Sequence, residues 1–398
     1  MNRHPAIISG LLLVLVSSSI AAQTSAPEPK LAGAPDSSKA AAAPDSSKAA
    51  AATVPTFLTT AQANAFVSFA YQYNLNTPSS RQNGFRSFDV DDNQFSLDVA
   101  EIVLQKAISK PGETGFRVQL AAGTGAPAHA QAAGLSLGPN ADLQQAVISY
   151  IAPMGEGLRL DFGKFVTPLG YEVIEGYDGY NDNYSRSLLF NYAIPLTHTG
   201  VKAGYAFSST LSGMLMVVNG WDNAKANHSG KSVGGQLTWA PAEPVSLNFS
   251  YIGGPEKTDT NGFVRHTFDV VASWKATKTL TLTANGDYGT ENKASLVKPG
   301  DNAVWKGVAG YAKLDATSDF AVTLRGETMR DDGGTRFGAP TPVTISEVTL
   351  TPSLKVSDRM VVRSDLRYDK ASENLFIKKL NSPTKSQTTI ALNVLWVF

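Results

Sequence analysis

From residue 66 to residue 398, apolar and polar residues alternate at every second position in segments of about ten residues. In the first segment the apolar positions are Val67, Phe69, Tyr71, Tyr73 and Leu75, and the residues between them are polar or small. Alternation with a period of two predicts a β-strand that has one apolar and one polar face. The chain is therefore predicted to be all-β.

Sixteen such segments follow one another, and the connections between them are alternately long and short. Short turns at one rim and long loops at the other, with an even number of strands, are typical of outer-membrane barrels. Closure also leaves no sheet edge with unpaired backbone groups in lipid. We therefore predict a transmembrane antiparallel β-barrel of about sixteen strands. Fourteen or eighteen strands are alternatives, because 126–139 and 289–303 are harder to assign. The predicted strands are 66–76, 93–106, 115–124, 142–152, 158–165, 198–207, 211–220, 231–240, 245–253, 266–275, 280–288, 304–314, 320–329, 344–354, 360–369 and 388–398.

The N-terminal region differs from the rest of the chain. An apolar run over 6–16 is followed by small residues up to Ala22, a pattern typical of a cleaved signal peptide. Residues 23–60 contain a tandem Ala/Pro/Ser repeat with almost no large apolar side chains, which predicts a disordered periplasmic linker. The predicted organisation is a signal peptide over 1–22, the linker over 23–60 and the barrel over 61–398. Localisation in the bacterial outer membrane follows from the signal peptide and the barrel.

The C-terminal strand ends in an aromatic residue, Phe398, with Trp396 two positions before it. This arrangement is similar to the sorting signal of bacterial outer-membrane barrels, which the barrel-assembly machinery recognises. A C-terminal strand of a soluble protein is the alternative interpretation.

Composition argues against several classes of function. Lys plus Arg and Asp plus Glu are both 34, so the chain lacks the positive charge that a nucleic-acid-binding protein needs. There are no cysteines, and the five histidines are scattered without a metal-binding spacing. We predict no cofactor, no metal and no catalytic site. An outer-membrane hydrolase, with His198 beside Ser185 or Ser187, is a third hypothesis.

A barrel of sixteen strands has a lumen too wide for side chains to fill, so an aqueous channel is expected. The predicted inward faces carry charges of both signs. The basic candidates are Arg117, Arg159, Lys202, Arg325, Arg363 and Arg367, and the acidic ones are Asp161, Asp269, Asp287, Glu327, Asp365 and Asp369. A lipid-facing surface would not carry these charges, whereas a water-filled pore would.

The third long connection, 166–197, is the longest and is rich in Tyr, Asn, Asp and Gly. Loops of this length usually carry function. We predict that it folds into the lumen, so that Glu172, Glu175, Asp178 and Asp182 face the basic wall residues across a constriction. A loop folded over the rim and a loop at a protomer interface are the alternatives.

Aromatic residues cluster near the predicted strand ends. They are Trp221, Trp239, Trp274, Trp305 and Trp396, with Tyr150, Tyr205, Tyr251, Tyr288 and Tyr368. Aromatic girdles at the two membrane interfaces use these positions. A sugar-stacking ladder inside the pore is the alternative.

Residues 163–175, 183–200 and 219–223 together resemble the OmpL-like family of β-barrel porins. The resemblance is dense over about sixty residues and general from about residue 62 onward. It implies an outer-membrane porin of Gram-negative bacteria, and it brings neither a catalytic set nor a substrate.

The predicted function is a water-filled porin for passive diffusion of small hydrophilic solutes or ions. The expected partners are outer-membrane lipid, the assembly machinery and these solutes, with a homotrimer expected by analogy and no nucleic acid. The main alternative is a structural or adhesive barrel with a plugged lumen, whose N-terminal linker contacts the cell wall.

Overall fold

The computed structural model describes residues 61–125, 136–138 and 140–398. The predicted signal peptide and linker lie outside the described residues, as do His4, His129 and most of the segment 126–139. Among the described residues, no helix has the length and apolar character needed to cross a bilayer.

Sixteen antiparallel strands form one closed sheet, in which each strand pairs with its neighbours in sequence and β1 also pairs with β16. The prediction of a sixteen-stranded barrel is confirmed. The strands, β1 to β16 in chain order, are Gln62–Asn74, Gln94–Lys106, Thr114–Ala122, Ala141–Ala152, Leu158–Val166, Thr197–Ala206, Leu211–Val218, Ser232–Ala242, Val245–Pro255, Val264–Lys275, Leu280–Glu291, Ala303–Asp315, Phe320–Asp331, Val343–Ser357, Met360–Ala371 and Ser386–Val397.

Among the described residues, five short elements lie outside this ladder of long strands. A strand at Ser136–Gly138 pairs with the start of β4, and Phe376–Ile377 pairs with Pro383–Thr384. A single π-helical turn occupies Leu189–Ala193, and a 3-10 turn occupies Lys379–Asn381.

The connections alternate as the sequence predicts, with long loops at one rim and short turns at the other. We call these ends the long-loop rim and the short-turn rim. The longest connection joins β5 to β6, and we call it the third long loop (residues 167–196). The loop begins and ends at the long-loop rim, so its path is fixed at both ends by the barrel wall.

Each strand presents one face to lipid and one to the interior. In β13, Leu324 is 47% exposed, whereas Arg325 and Glu327 on either side of Gly326 are buried. Exposed apolar positions recur at every second residue in most strands, which is the pattern that lipid contact requires.

The aromatic girdle is only partly as predicted. Trp239, Trp274 and Trp396 are exposed on the lipid-facing side, as a girdle requires. Trp305 is completely buried, and Trp221 packs edge-on against it, so the girdle assignment is wrong for these two. Trp305 shares its inward face of β12 with the buried Ala309 and Tyr311, which its position in the alternation dictates.

Candidate functional site

The inner wall of β13, β14 and β15 carries successive rows of opposite charge. The register places Glu327, Glu347 and Asp369 directly opposite one another, forming one acidic row. The next inward row toward the short-turn rim is Arg325, Thr349 and Arg367. Like charges opposite one another on neighbouring strands repel, so the acidic row requires cations nearby.

Arginines neutralise this acidic row. Arg325 Nε lies 2.7 Å from Glu347 Oε1, and Arg367 lies 2.8 Å from Asp369. Arg86, from the first long loop, adds a second contact to Asp369 at 2.7 Å. These side chains are almost fully buried, so their charges interact in a region that water scarcely reaches.

The third long loop attaches to this wall through Glu172. Its Oε1 accepts from Arg325 Nη1 at 2.8 Å and from the Tyr311 hydroxyl at 3.1 Å. Its other oxygen accepts the backbone N–H of Ser187 at 2.8 Å. One carboxylate therefore joins two strands to two parts of the loop.

Glu175 makes a second attachment. It accepts two hydrogen bonds from Arg363 Nη2, at 2.7 and 2.8 Å, and lies 3.2 Å from Arg186. The backbone N–H of Asn181 also donates to it at 3.0 Å. The guanidinium groups of Arg186 and Arg363 lower the pKa of the Glu175 carboxyl below its usual value, against the effect of its burial.

Backbone amides of the loop donate to wall carboxylates. Ser185 N–H donates to Asp365 at 2.8 Å, and Leu188 N–H donates to Glu327 at 2.6 Å. Gly170 N–H, at the start of the loop, donates to Asp269 at 3.0 Å. The wall acids thus satisfy loop amides that would otherwise lie unpaired inside the barrel.

An apolar cluster holds the C-terminal part of the loop. Leu188, Leu189 and Phe190 are buried in one cluster with Trp305 and Met329 of the wall. Trp305 Nε1 also donates to the carbonyl of Ala193 at 3.0 Å. Polar and apolar contacts together fix the loop against β10 to β15.

Asp178 and Asp182 pair with more exposed partners. Asp178 lies 2.6 Å from Arg117, and Asp182 lies 2.8 Å from Lys313. The structure therefore brings three of the four predicted loop acids into contact with predicted wall cations, and the fourth to Lys313, which the sequence analysis missed. Each acid makes a direct ion pair with its cation.

The arc of β4 to β6 is different. Arg159, Asp161 and Lys202 form a group in which Asp161 accepts from Arg159 at 3.0 Å and lies 3.5 Å from Lys202. Ser149 donates to Asp161 at 2.6 Å. The side chains of Arg159 and Lys202 are 47% and 29% exposed, whereas Arg325, Arg363 and Arg367 are at most 1% exposed.

The family model "Putative beta-barrel porin-2, OmpL-like" matches residues 60–398. The chain belongs to this family of β-barrel porins. The match covers the whole barrel, and it agrees with the closed antiparallel sheet and its charged interior.

Solved structures show the same fold. The outer-membrane channel DcaP of Acinetobacter baumannii matches with a TM-score of 0.57 at 10% identity, over 85% of this chain and 97% of that one. An anion-selective porin from Comamonas acidovorans gives 0.55 at 10% identity, over 85% and 99%. The trimer form of in-vitro folded OmpT, an outer-membrane protein of Vibrio cholerae, gives 0.53 at 10% identity, over 85% and 99%. No sequence among the curated proteins matches the chain.

The porin interior contains a cavity of about 210 Å³ between the third long loop and the wall of β3 and β4. Gln119, Gln144 and Gln145 line its wall side. β4 has a bulge where it pairs with Gln119 and Leu120 of β3, and Gln144 is the extra residue of this bulge. Two consecutive glutamines, Gln144 and Gln145, therefore lie inside the barrel. Asp178 and Glu172 line the loop side.

His198 is buried, and its ring nitrogens contact the Gly220 carbonyl at 3.3 Å and Thr167 Oγ1 at 3.1 Å. Ser185 Oγ donates to Asp365, and Ser187 Oγ accepts the N–H of Phe190. Among the described residues, His198 therefore contacts neither Ser185 nor Ser187, as the hydrolase hypothesis would require. Among those residues, no group of three His, Asp or Glu side chains has a metal-binding arrangement.

Several residues of the site were not predicted from the sequence. Glu347 lies two and four positions before the inward-facing Thr349 and Thr351, so the alternation in β14 also predicts an inward position for Glu347. Arg86 and Arg186 lie in long loops, where no periodicity predicts which wall residue a side chain reaches.

Proposed function

We propose that the protein is a passive diffusion channel for small hydrophilic solutes and ions, with the third long loop as its constriction. The observation that carries the proposal is the unequal exposure of the interior charges. The loop covers the arginines of β13 and β15, while Arg159 and Lys202 stay open to solvent. A water-filled passage along β3 to β6 accounts for this difference.

Charges along this passage would set its ion preference. Asp178, which lines the 210 Å³ cavity, is 60% exposed and pairs with Arg117 at 2.6 Å, so a carboxylate and a guanidinium group lie side by side at this section. Exposed charges of both signs at a narrow section favour polar solutes over apolar ones and weaken any extreme preference for cations or anions.

The route to the membrane is part of the same proposal. Residues 1–22 would be removed as a signal peptide, residues 23–60 would remain as a periplasmic linker, and the strand ending in Trp396 and Phe398 would be the sorting signal. The long-loop rim would face outward. A homotrimer agrees with the trimer form recorded for the Vibrio cholerae protein.

The second candidate is a structural barrel with a plugged lumen. The number of buried attachments between the third long loop and the wall favours it, because a loop held by both Glu172 and Glu175 resists displacement. In that case no passage would remain beside the loop.

Single-channel recording distinguishes the two candidates. The refolded mature chain is placed in a planar bilayer, and its reversal potential is measured under a KCl gradient. Stable conductance steps support the diffusion channel. Silence from protein that is folded by circular dichroism and heat-modifiability contradicts it and favours the plugged barrel.

A further inference from the structure

A cavity of about 730 Å³ lies at the long-loop rim of the barrel. Loop residues line it on several sides, including Arg86, Tyr192, Trp221 and Arg336. Its volume lies within the range of pockets that bind small organic molecules. Leu196 lines both this cavity and the 210 Å³ cavity below it, so the larger one stands at the entrance to the proposed passage.

Arg336 is the unusual group in this cavity. Its side chain forms no hydrogen bond and no ion pair with any residue that the structure describes, and its Nε is buried. Its guanidinium carbon lies 4.4 Å from the ring centre of Trp305 and 5.3 Å from that of Trp221. The indole rings hold the cation in place without neutralising it.

Glu291, Asp331 and Asp222 favour the charged form of Arg336 from a distance, but none of them forms an ion pair with its side chain. Glu291 pairs with Arg265 at 2.7 Å. Asp331 Oδ2 accepts the backbone N–H groups of Arg336 and Phe337, whereas its Oδ1 is buried and has no hydrogen-bond partner among the described residues. Asp222 Oδ1 accepts the backbone N–H groups of Leu196 and Thr197. Arg86, on another side of the cavity, already pairs with Asp89 and Asp369.

Arg336 nevertheless keeps its charge at neutral pH. Burial and the neighbouring Arg265 lower the pKa of its guanidinium to about 10, which is still well above 7. A guanidinium group that lines a cavity and has no ion-pair partner there is free to bind a carboxylate or phosphate group.

Two further residues of the lining have polar atoms without partners. Thr335 Oγ1 and Asn191 Oδ1 are buried and form no hydrogen bond with any described residue. Buried polar atoms normally have partners, and a solute with hydroxyl groups would supply them after small side-chain rotations.

We propose that this cavity binds a hydroxylated organic anion, with Arg336 pairing its carboxylate or phosphate group and Thr335 and Asn191 bonding its hydroxyls. The inference rests on the proposed channel function, because it names the class of solute that the entrance selects. Binding at Arg336 itself is measurable without any current.

The test uses gluconate, glucose and inorganic phosphate as probes of the refolded mature chain. Trp221 and Trp305 flank Arg336, so binding is read from tryptophan fluorescence as well as from the chloride current. Arg336→Gln removes the cation. Arg330→Gln is the matched control, since Arg330 is 50% exposed and pairs with Asp332 outside the cavity.

Gluconate is expected to change the fluorescence saturably in the wild type and in Arg330→Gln. Its apparent affinity should fall about tenfold or more in Arg336→Gln. Glucose should bind neither protein at the same concentrations. Phosphate binding that also depends on Arg336 supports a general oxyanion site. If gluconate binds and phosphate does not, the site is specific for a carboxylate group.

Equal gluconate affinity in Arg336→Gln and the wild type overturns the inference, as does equal binding of glucose and gluconate. Arg336→Lys, which keeps the charge but not the planar donors, replaces Arg336→Gln if that variant fails to refold, and a weakened affinity is again expected. Conductance without gluconate binding contradicts this inference and leaves the proposed channel function standing. Arg336-dependent binding without conductance contradicts the proposed channel function and leaves the binding site standing.

Discussion

Glu175 shows how a single residue fixes the loop to the wall. Its carboxylate faces Arg363 and Arg186, and all three side chains are buried. Replacing Glu175 by Gln would leave two buried guanidinium groups without their shared counter-charge. Loss of one partner from a buried ion pair costs about 3–5 kcal/mol. We expect Glu175→Gln to lower the free energy of unfolding by this amount in urea titrations of the refolded barrel.

The matched control is Asp358→Asn. Asp358 pairs with Lys355 at the short-turn rim, where its side chain is 79% exposed, so its removal should leave the urea midpoint unchanged. Equal effects of the two substitutions would mean that the contacts of Glu175 do not hold the loop.

Acid should abolish the contribution of Glu175. Its pKa is lower in the folded protein than the usual 4.5, so the ionised form is favoured by folding. The stability difference between the wild type and Glu175→Gln should therefore be constant from pH 7 to about pH 5. It should shrink as the pH falls below 4.5, through the lowered pKa. A difference that grows on acidification would contradict this assignment.

At the level of strands, the alternation of the sequence predicts position and pairing well. For β13 the predicted 320–329 compares with Phe320–Asp331, because lipid contact forces one face to stay apolar over the whole crossing. The inward parity of Arg325 and Glu327 followed from the same pattern. The ion-pair partners of these residues did not follow from it, because Glu172, which binds Arg325, belongs to a loop that has no repeating pattern.

Gly289 provides a test of how β11 positions the loop. A Cβ on Gly289 would lie 2.0 Å from the indole of Trp305, whose Nε1 bonds the loop at Ala193. We expect Gly289→Ala to displace the indole and to destabilise the barrel by about 1–3 kcal/mol in urea. Gly286→Ala, on the same strand, meets nothing closer than 3.9 Å and should be tolerated. Equal stability of the two variants would show that the indole moves freely.

The whole molecule combines a wall and a loop that are held together by different forces. The wall closes through the backbone ladder from β1 to β16, which does not use the loop. The loop is held by side chains of the wall, among them Arg325, Arg363 and Trp305. The barrel should therefore survive changes in the loop that alter its lumen.

Replacing residues 171–187 by a short Gly/Ser linker tests this division of roles. The variant removes Glu172 and Glu175 and leaves the arginines of β13 and β15 facing water, where their charges are hydrated. We expect a folded, heat-modifiable barrel of lower stability with several-fold higher conductance and a greater preference for anions. The matched control replaces residues 258–262, in a loop of the same rim that lies outside the 210 Å³ cavity, and should leave the conductance unchanged. Unchanged conductance in the first variant would mean that the third long loop is not the constriction, even if the barrel is a channel.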